Sequence, residues 1–330
     1  MFGIGGLQPY DASYVAKNKY GDCKALSNFM VALLKEAGIK GYPVTIYAGA
    51  NETNFVVDFP SHQSNHIICM VPVKQDTVWL ECTSQSTPPG YLGSFTCNRY
   101  GLLVDENGGK LVHTPRYELK DNTSIRKISA SLDMDGNLRI KSETDYKALK
   151  YDRYMFLTHD HSKNEQLDHL KESLGLSTYT INSFNYSEDN SLRLPVIHET
   201  LDITASGYAR VTGKRIFIDP DILQKSTIQF PEENERKLDF LVKNEFRESD
   251  SVEIIIPTGY TTESKPRDLL LETKYGKFQV RTEVRDDRIL YYRRFDQYLG
   301  HYAAAQLNSI RDFYNGIYEA DRAQIVLVKK

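Results

Sequence analysis

The chain has 330 residues, 40% of them apolar and 26% charged, which fits a folded protein of about two domains and excludes a disordered one. Lys and Arg number 41 against 44 Asp and Glu, so the formal charge of −3 offers no footprint for a nucleic-acid backbone or an anionic membrane surface. Four cysteines are too few for a disulfide scaffold, and no apolar run approaches the ~20 residues of a membrane helix.

The opening stretch, Met1-Phe2-Gly3-Ile4-Gly5-Gly6, has neither the positive n-region nor the apolar h-region of a secretory signal. Its glycines also lack the preceding strand and the following Gly-Lys-Ser/Thr of a phosphate loop. The first strong element starts after Asp22. Leu26, Phe29, Met30, Leu33, Leu34 and Ala37 recur at helical spacing, with Asp22 as N-cap and Gly38 as a left-handed stop. Strands are expected at residues 42–48, 66–71 and 76–83, with a polar loop before residue 66 and a hairpin over residues 102–112.

From about Tyr117 the pattern changes to period two, and no linker marks the change. Residues 124–132 and 138–144 flank Asp133-Met134-Asp135-Gly136-Asn137, which reads as a hairpin turn and lacks the later ligands of a calcium loop. A helical stretch is expected over residues 151–174. Its His159, His161 and His169 have no fourth ligand at helical spacing and read as surface residues, so no metal is expected. Strands are then expected at residues 196–204, 208–218, 237–245, 252–257, 269–275, 277–285 and 288–295. A helix at residues 303–318 and a closing strand at 323–328 complete a mainly β, sandwich-like domain with a C-terminal helix. The 22 tyrosines suit sheet surfaces, and a carbohydrate-binding sandwich would rest on that composition alone.

The residues that suggest chemistry lie in the first part. Cys23 follows the Asp22 cap, so the helix N-terminus favours its thiolate, although a cysteine here also serves as a small packing residue. If residues 72–75 form the loop between the second and third strands, Val71 opposes Asp76 and His66 lies directly opposite Glu81. A carboxylate there orients one imidazole nitrogen and leaves the other to take a proton from a thiol. In the same register Cys69 and Cys82 face away, offset by roughly 13 Å and beyond disulfide reach. Cys97 is expected to be free, and the cysteine spacings do not suit zinc.

These residues carry a resemblance. Gly6-Leu7-Gln8-Pro9 and Lys19-Tyr20-Gly21-Asp22-Cys23-Lys24-Ala25-Leu26-Ser27 resemble the nucleophile region of bacterial transglutaminase-like proteins. Asn65-His66-Ile67 and Val78-Trp79-Leu80-Glu81-Cys82-Thr83 resemble that superfamily's His and acidic strands, although the usual acid there is Asp. The chain looks like the subgroup in which this core lies between β-rich domains of unknown function. The likeness continues through residues 91–94 and Leu307-Asn308-Ser309-Ile310-Arg311-Asp312-Phe313-Tyr314.

The resemblance implies an α+β fold, with a papain-like core of helix and antiparallel sheet at residues 1–118 and a β-rich domain at 119–330. It implies Cys23 as nucleophile, His66 as base, Glu81 as orienter and Gln8 as a candidate oxyanion donor, with no cofactor. The expected partner is a peptide or other amide substrate, cleaved or transferred through an acyl-enzyme. A non-catalytic binding or assembly protein on the same fold is the alternative. Only 22 residues precede Cys23, where such proteins carry a further β-rich domain and helices. The resemblance therefore implies the C-terminal portion of a longer protein, periplasmic or extracellular, with self-association expected where that domain is missing.

Overall fold

The computed structural model describes residues 6, 8–49, 55–74, 76–230 and 236–330. The fold is α+β, mostly sheet with a few helices. It divides into two compact units, Met1–Arg116 with Asn190–Pro195, and Tyr117–Asp189 with Val196–Lys330. The glycines at positions 1–5, weighed above as a phosphate loop, lie outside the described residues. Among the described residues no helix is long and apolar enough to cross a membrane.

The first unit opens with a short helix that the periodicity did not predict, α1 (Ala12–Asn18), followed by α2 (Cys23–Glu36). Asp22 caps α2, its carboxylate accepting from the Ala25 N–H at 3.0 Å. Such a cap contributes about 1 kcal/mol. A Cβ at Gly21 would meet the Ala25 Cβ at 2.9 Å and the Val15 side chain at 3.3 Å, so glycine lets α1 approach the head of α2. Five strands follow: β1 (Tyr42–Ile46), β2 (His66–Val73), β3 (Asp76–Leu80), β4 (Tyr100–Asp105) and β5 (Gly108–His113). They form one antiparallel sheet in the order β3-β2-β1-β4-β5, with α2 against β2 and β1.

The register of β2 and β3 differs from the expected one by two residues. Val71 pairs with Val78, and Val73 with Asp76. Pro72 and Val73 continue the strand, and the chain leaves it through Lys74 at φ +42°. A shift of two keeps every side chain on its face, whereas a shift of one would have reversed them all. His66 and Glu81 therefore lie diagonal to one another, not opposite, with Glu81 one residue past the end of β3. The same shift halves the offset expected between Cys69 and Cys82, and both remain free thiols.

The second unit begins with the hairpin β6 (Thr123–Leu132) and β7 (Leu138–Lys147). Asp133 closes its turn by accepting from the N–H groups of Asp135 and Asn137. The single helix expected next is two, α3 (Leu149–Asp160) and α4 (Lys163–Ser173). Between them Ser162 and Glu165 form a reciprocal capping box that restarts the helix. An edge strand absent from the sequence reading, β8 (Tyr179–Asp189), pairs with β9 (Val196–Ala205).

The stretch 208–218 is a hairpin, β10 (Arg210–Thr212) and β11 (Arg215–Ile218), turning at Gly213 with φ +58°. Of residues 237–245 only β12 (Phe240–Val242) is strand. The remainder runs β13 (Phe246–Ile255), β14 (Tyr260–Ser264), β15 (Leu269–Thr273), β16 (Gly276–Val284), β17 (Arg288–Gln297), β18 (Gly300–Tyr302), α5 (Leu307–Ala320) and β19 (Ile325–Lys329).

The large sheet has the order β15-β16-β17-β13-β6-β7-β9-β8, with β13 and β6 parallel. A smaller sheet, β10-β11-β19-β14, shares its apolar core: Ile128, Ile140, Ile203 and Ile254 from one sheet join Ile216, Ile218, Ile325 and Leu327 from the other. Elsewhere in that core α5 contributes Ile310, Phe313 and Ile317, with Phe313 set against Phe295 of β17.

Candidate active site

The first unit brings Cys23, His66 and Glu81 together. Cys23 is the first residue of α2, where backbone N–H groups lack intrahelical acceptors. The Ser27 hydroxyl, one turn on, donates to the Ile67 carbonyl at 3.0 Å and ties the helix to β2 beside His66. The start of β2 is held by Asn65, whose amide exchanges two hydrogen bonds with the Ala48 backbone at 2.6 and 2.9 Å. His66 is buried at 8% exposure, with Phe95 edge-on to its ring at 5.4 Å between centroids. Arg99 fixes the Phe95 loop by donating to the carbonyls of Tyr47, Gly49, Ser94 and Cys97.

The His66 ring divides its two nitrogens. Nε2 donates to the Glu81 carboxylate, 3.0 Å from Oε1 and 3.1 Å from Oε2, leaving Nδ1 for the thiol. Glu81 in turn accepts from Thr83, from Oγ1 at 2.6 Å and from the backbone N–H at 3.2 Å. Thr83 was not singled out from the sequence. Its signal there is an acid followed two residues on by a hydroxyl.

The electrostatics follow from this geometry. The Cys23 thiol lies below its ordinary pKa, chiefly through its hydrogen bond to His66, which outweighs the opposing effect of burial. The His66 charge and Lys24 add to the lowering. Burial works against the His66 cation, but hydrogen bonds and charge from Cys23 and Glu81 raise it to about 9. Burial likewise opposes the Glu81 carboxylate, yet His66 and Thr83 hold it below its ordinary range. Cys69 and Cys82 behave in the opposite way. Burial pushes them up to about 12 and about 11, so neither is a thiolate near neutrality.

Cys23 and His66 open into a cleft of about 640 Å³ whose walls include Thr45, Phe55, Ile67 and Leu102. Gln8 is exposed and is not among the described residues lining that cleft. The histidines of the second unit have other engagements: His159 pairs with Glu188 at 2.7 Å, and His169 lies 3.0 Å from an Arg153 nitrogen. Among the described residues no group of three or more His, Cys, Asp or Glu is placed to hold a metal ion.

Comparison with known proteins adds the following. No curated protein matches the chain. Among solved structures it is similar to a crystal structure of a "putative protease" from Parabacteroides distasonis ATCC 8503, at 11% identity and a TM-score of 0.48. The match covers 97% of this chain and 46% of that one, so this chain spans less than half the length of the protein it matches. Residues 214–327 match the model of a family described as a domain of unknown function with a solved structure, DUF3858.

Proposed function

We propose that the first unit is a transglutaminase-like, papain-like core and that the protein is a thiol-dependent amide or peptide hydrolase or acyltransferase. Cys23 gives its proton to His66 Nδ1 and attacks the carbonyl carbon, forming a tetrahedral oxyanion. His66 returns that proton to the leaving amine as the C–N bond breaks, which leaves a thioester on Cys23. Water, deprotonated by His66, then attacks the thioester and releases the acid, and Cys23 recovers its thiol. A second amine in place of water gives transfer, and of the two we favour hydrolysis because water is always present. The backbone N–H of Cys23 and the side chain of Gln8 are the candidate oxyanion donors.

The observation that carries this reading is the division of the His66 ring, with Glu81 on Nε2 and the same ring lowering the thiol at the head of α2. The test is reaction of the folded protein with an acyl-trapping probe library, followed by mapping of the labelled residue. Label is expected on Cys23 and is expected to be lost in Cys23→Ala and His66→Ala. Absence of label, with Cys23 titrating as a free thiol, would favour the binding or assembly module instead.

A further inference from the structure

We infer that Thr83 is a positioning residue for the reaction, acting through Glu81 to hold the His66 imidazole in place beside Cys23. This rests on the reading of Cys23, His66 and Glu81 as one reacting unit.

Glu81 lies one residue beyond β3 and diagonal to His66, so no ladder bond of that strand fixes its backbone. A diagonal neighbour in a sheet is ~7–8 Å away, against about 5 Å for one directly opposite. The longer Glu side chain suits that reach, at the cost of one more rotatable bond than Asp has. The carboxylate therefore needs a second anchor to stay on Nε2.

Thr83 supplies it. Its hydroxyl and backbone N–H both donate to Oε1, the oxygen nearer the imidazole, at 2.6 and 3.2 Å. Oε2 retains its own contact with Nε2 at 3.1 Å. Two donors on one oxygen favour the ionised carboxylate and restrict its rotation.

A hydrogen-bonded turn follows Thr83 directly. The Ser84 hydroxyl oxygen accepts from the Ser86 N–H at 3.3 Å, the Thr87 N–H at 3.0 Å and the Thr87 hydroxyl at 2.8 Å. Beyond the turn the Gly90 N–H donates to the Trp79 carbonyl at 2.9 Å, which brings the chain back beside β3. The hydrogen-bonded path runs from Thr83 to Glu81, to the imidazole and then to the thiol. Thr83 touches neither Cys23 nor a reacting atom, so it acts on the reaction only through Glu81.

The experiment is the pH dependence of Cys23 alkylation by iodoacetamide in the full chain. It uses the native protein, Thr83→Val and Thr83→Ser, and repeats Thr83→Val in a Glu81→Ala background. Thr83→Val keeps the shape and the backbone N–H but removes the hydroxyl donor. Alkylation at about pH 6 is expected to fall about fivefold, with the rate at about pH 10 unchanged because a Cys23 thiol with even the free value near ~8.5 is ionised there. Thr83→Ser restores the native profile. In the Glu81→Ala background Thr83→Val has no further effect.

An unchanged profile in Thr83→Val overturns the inference, as does a Val effect of equal size without Glu81. A native protein whose Cys23 titrates as a free thiol overturns the inference together with the proposed function. Should Thr83→Val fail to fold by circular dichroism, Thr83→Ala is measured in its place with the same expected outcome.

Discussion

Each unit buries a cluster of ionisable groups, and the two clusters are built differently. In the second unit Arg293 makes a two-pronged bond to Asp321 at 2.8 and 2.9 Å, with Asp221 at 3.4 Å and Asp250 at 3.8 Å. Asp250 also faces Arg126 at 3.5 Å, and Asp321 accepts from the Ser226 N–H. These charges tie β6, β13, β17 and the end of α5 to the irregular segment around Asp221. Burial pushes Asp221 and Asp250 up, Arg293 and Arg126 pull them back down, and the arginines stay charged.

In the first unit the shifts run toward one another. The thiol falls and the imidazole rises, each drawn toward its charged form by the other at the wall of an open cleft. Burial of charge is common to both regions and does not by itself mark chemistry. The first cluster differs in containing a thiol whose main partner is an imidazole and which faces a cleft. The second cross-links elements of the fold.

The largest way to break this contrast is Arg293→Met. It leaves Asp321, 1% exposed, as an unpaired buried charge, and is expected to cost about 3–5 kcal/mol in urea unfolding. Cys23→Ala is expected to change stability by less than about 1 kcal/mol while removing all acyl labelling. Loss of labelling in folded Arg293→Met would mean that the second cluster serves the reaction as well.

Stability against pH separates the regions with a smaller effect. His66 has a folded pKa above its unfolded value, so its contribution is full below about pH 6.5 and is lost as pH rises through about 9. Its size is on the order of 3 kcal/mol. Glu81 is depressed, so its contribution is present above its ordinary pKa and fades in acid. Asp221 and Asp250 are raised. The folded state holds their protons longer, and their contribution falls as pH climbs from the ordinary carboxylate range through about 6 for Asp250. The only tryptophan, Trp79 on β3, makes fluorescence a reporter of the first unit. It should register the alkaline loss. Hydrogen exchange in β13 and β17 should register the loss that starts in acid.

The smallest effect is expected at Gln8. Gln8→Ala should leave Cys23 alkylation within about twofold of native, since Gln8 does not line the cleft among the described residues. A role as oxyanion donor would appear only as slower acyl-enzyme formation, measured by the burst of released amine.

Periodicity and capping made α2 and most strands legible, because the apolar faces of Leu26 to Ala37 and Ile128 to Leu132 repeat with the period of their element. The register of β2 and β3 is not legible locally, because Pro72 signals a turn yet sits where the strand still pairs with Thr77. Parity survived, and with it the common face of His66 and Glu81. The edge strand β8 escaped because its aromatic alternation is broken by a bulge between Ile181 and Ser183. The parallel pairing of β13 with β6 leaves no local signal at all. The buried ionic cluster had one. Arg126, Asp250 and Arg293 occupy the same alternation phase as Ile128, Val252 and Phe295, and charges in the inward phase of a strand point to a buried network.

The account stands or falls on the state of the Cys23 thiol. The direct measurement is the rate of Cys23 alkylation against pH in the native protein and in His66→Ala. The native rate should remain high down to about pH 6, and His66→Ala should move the profile toward the free-thiol value near ~8.5. Superimposable profiles would contradict the account and leave Cys23 as a packing residue at the head of its helix.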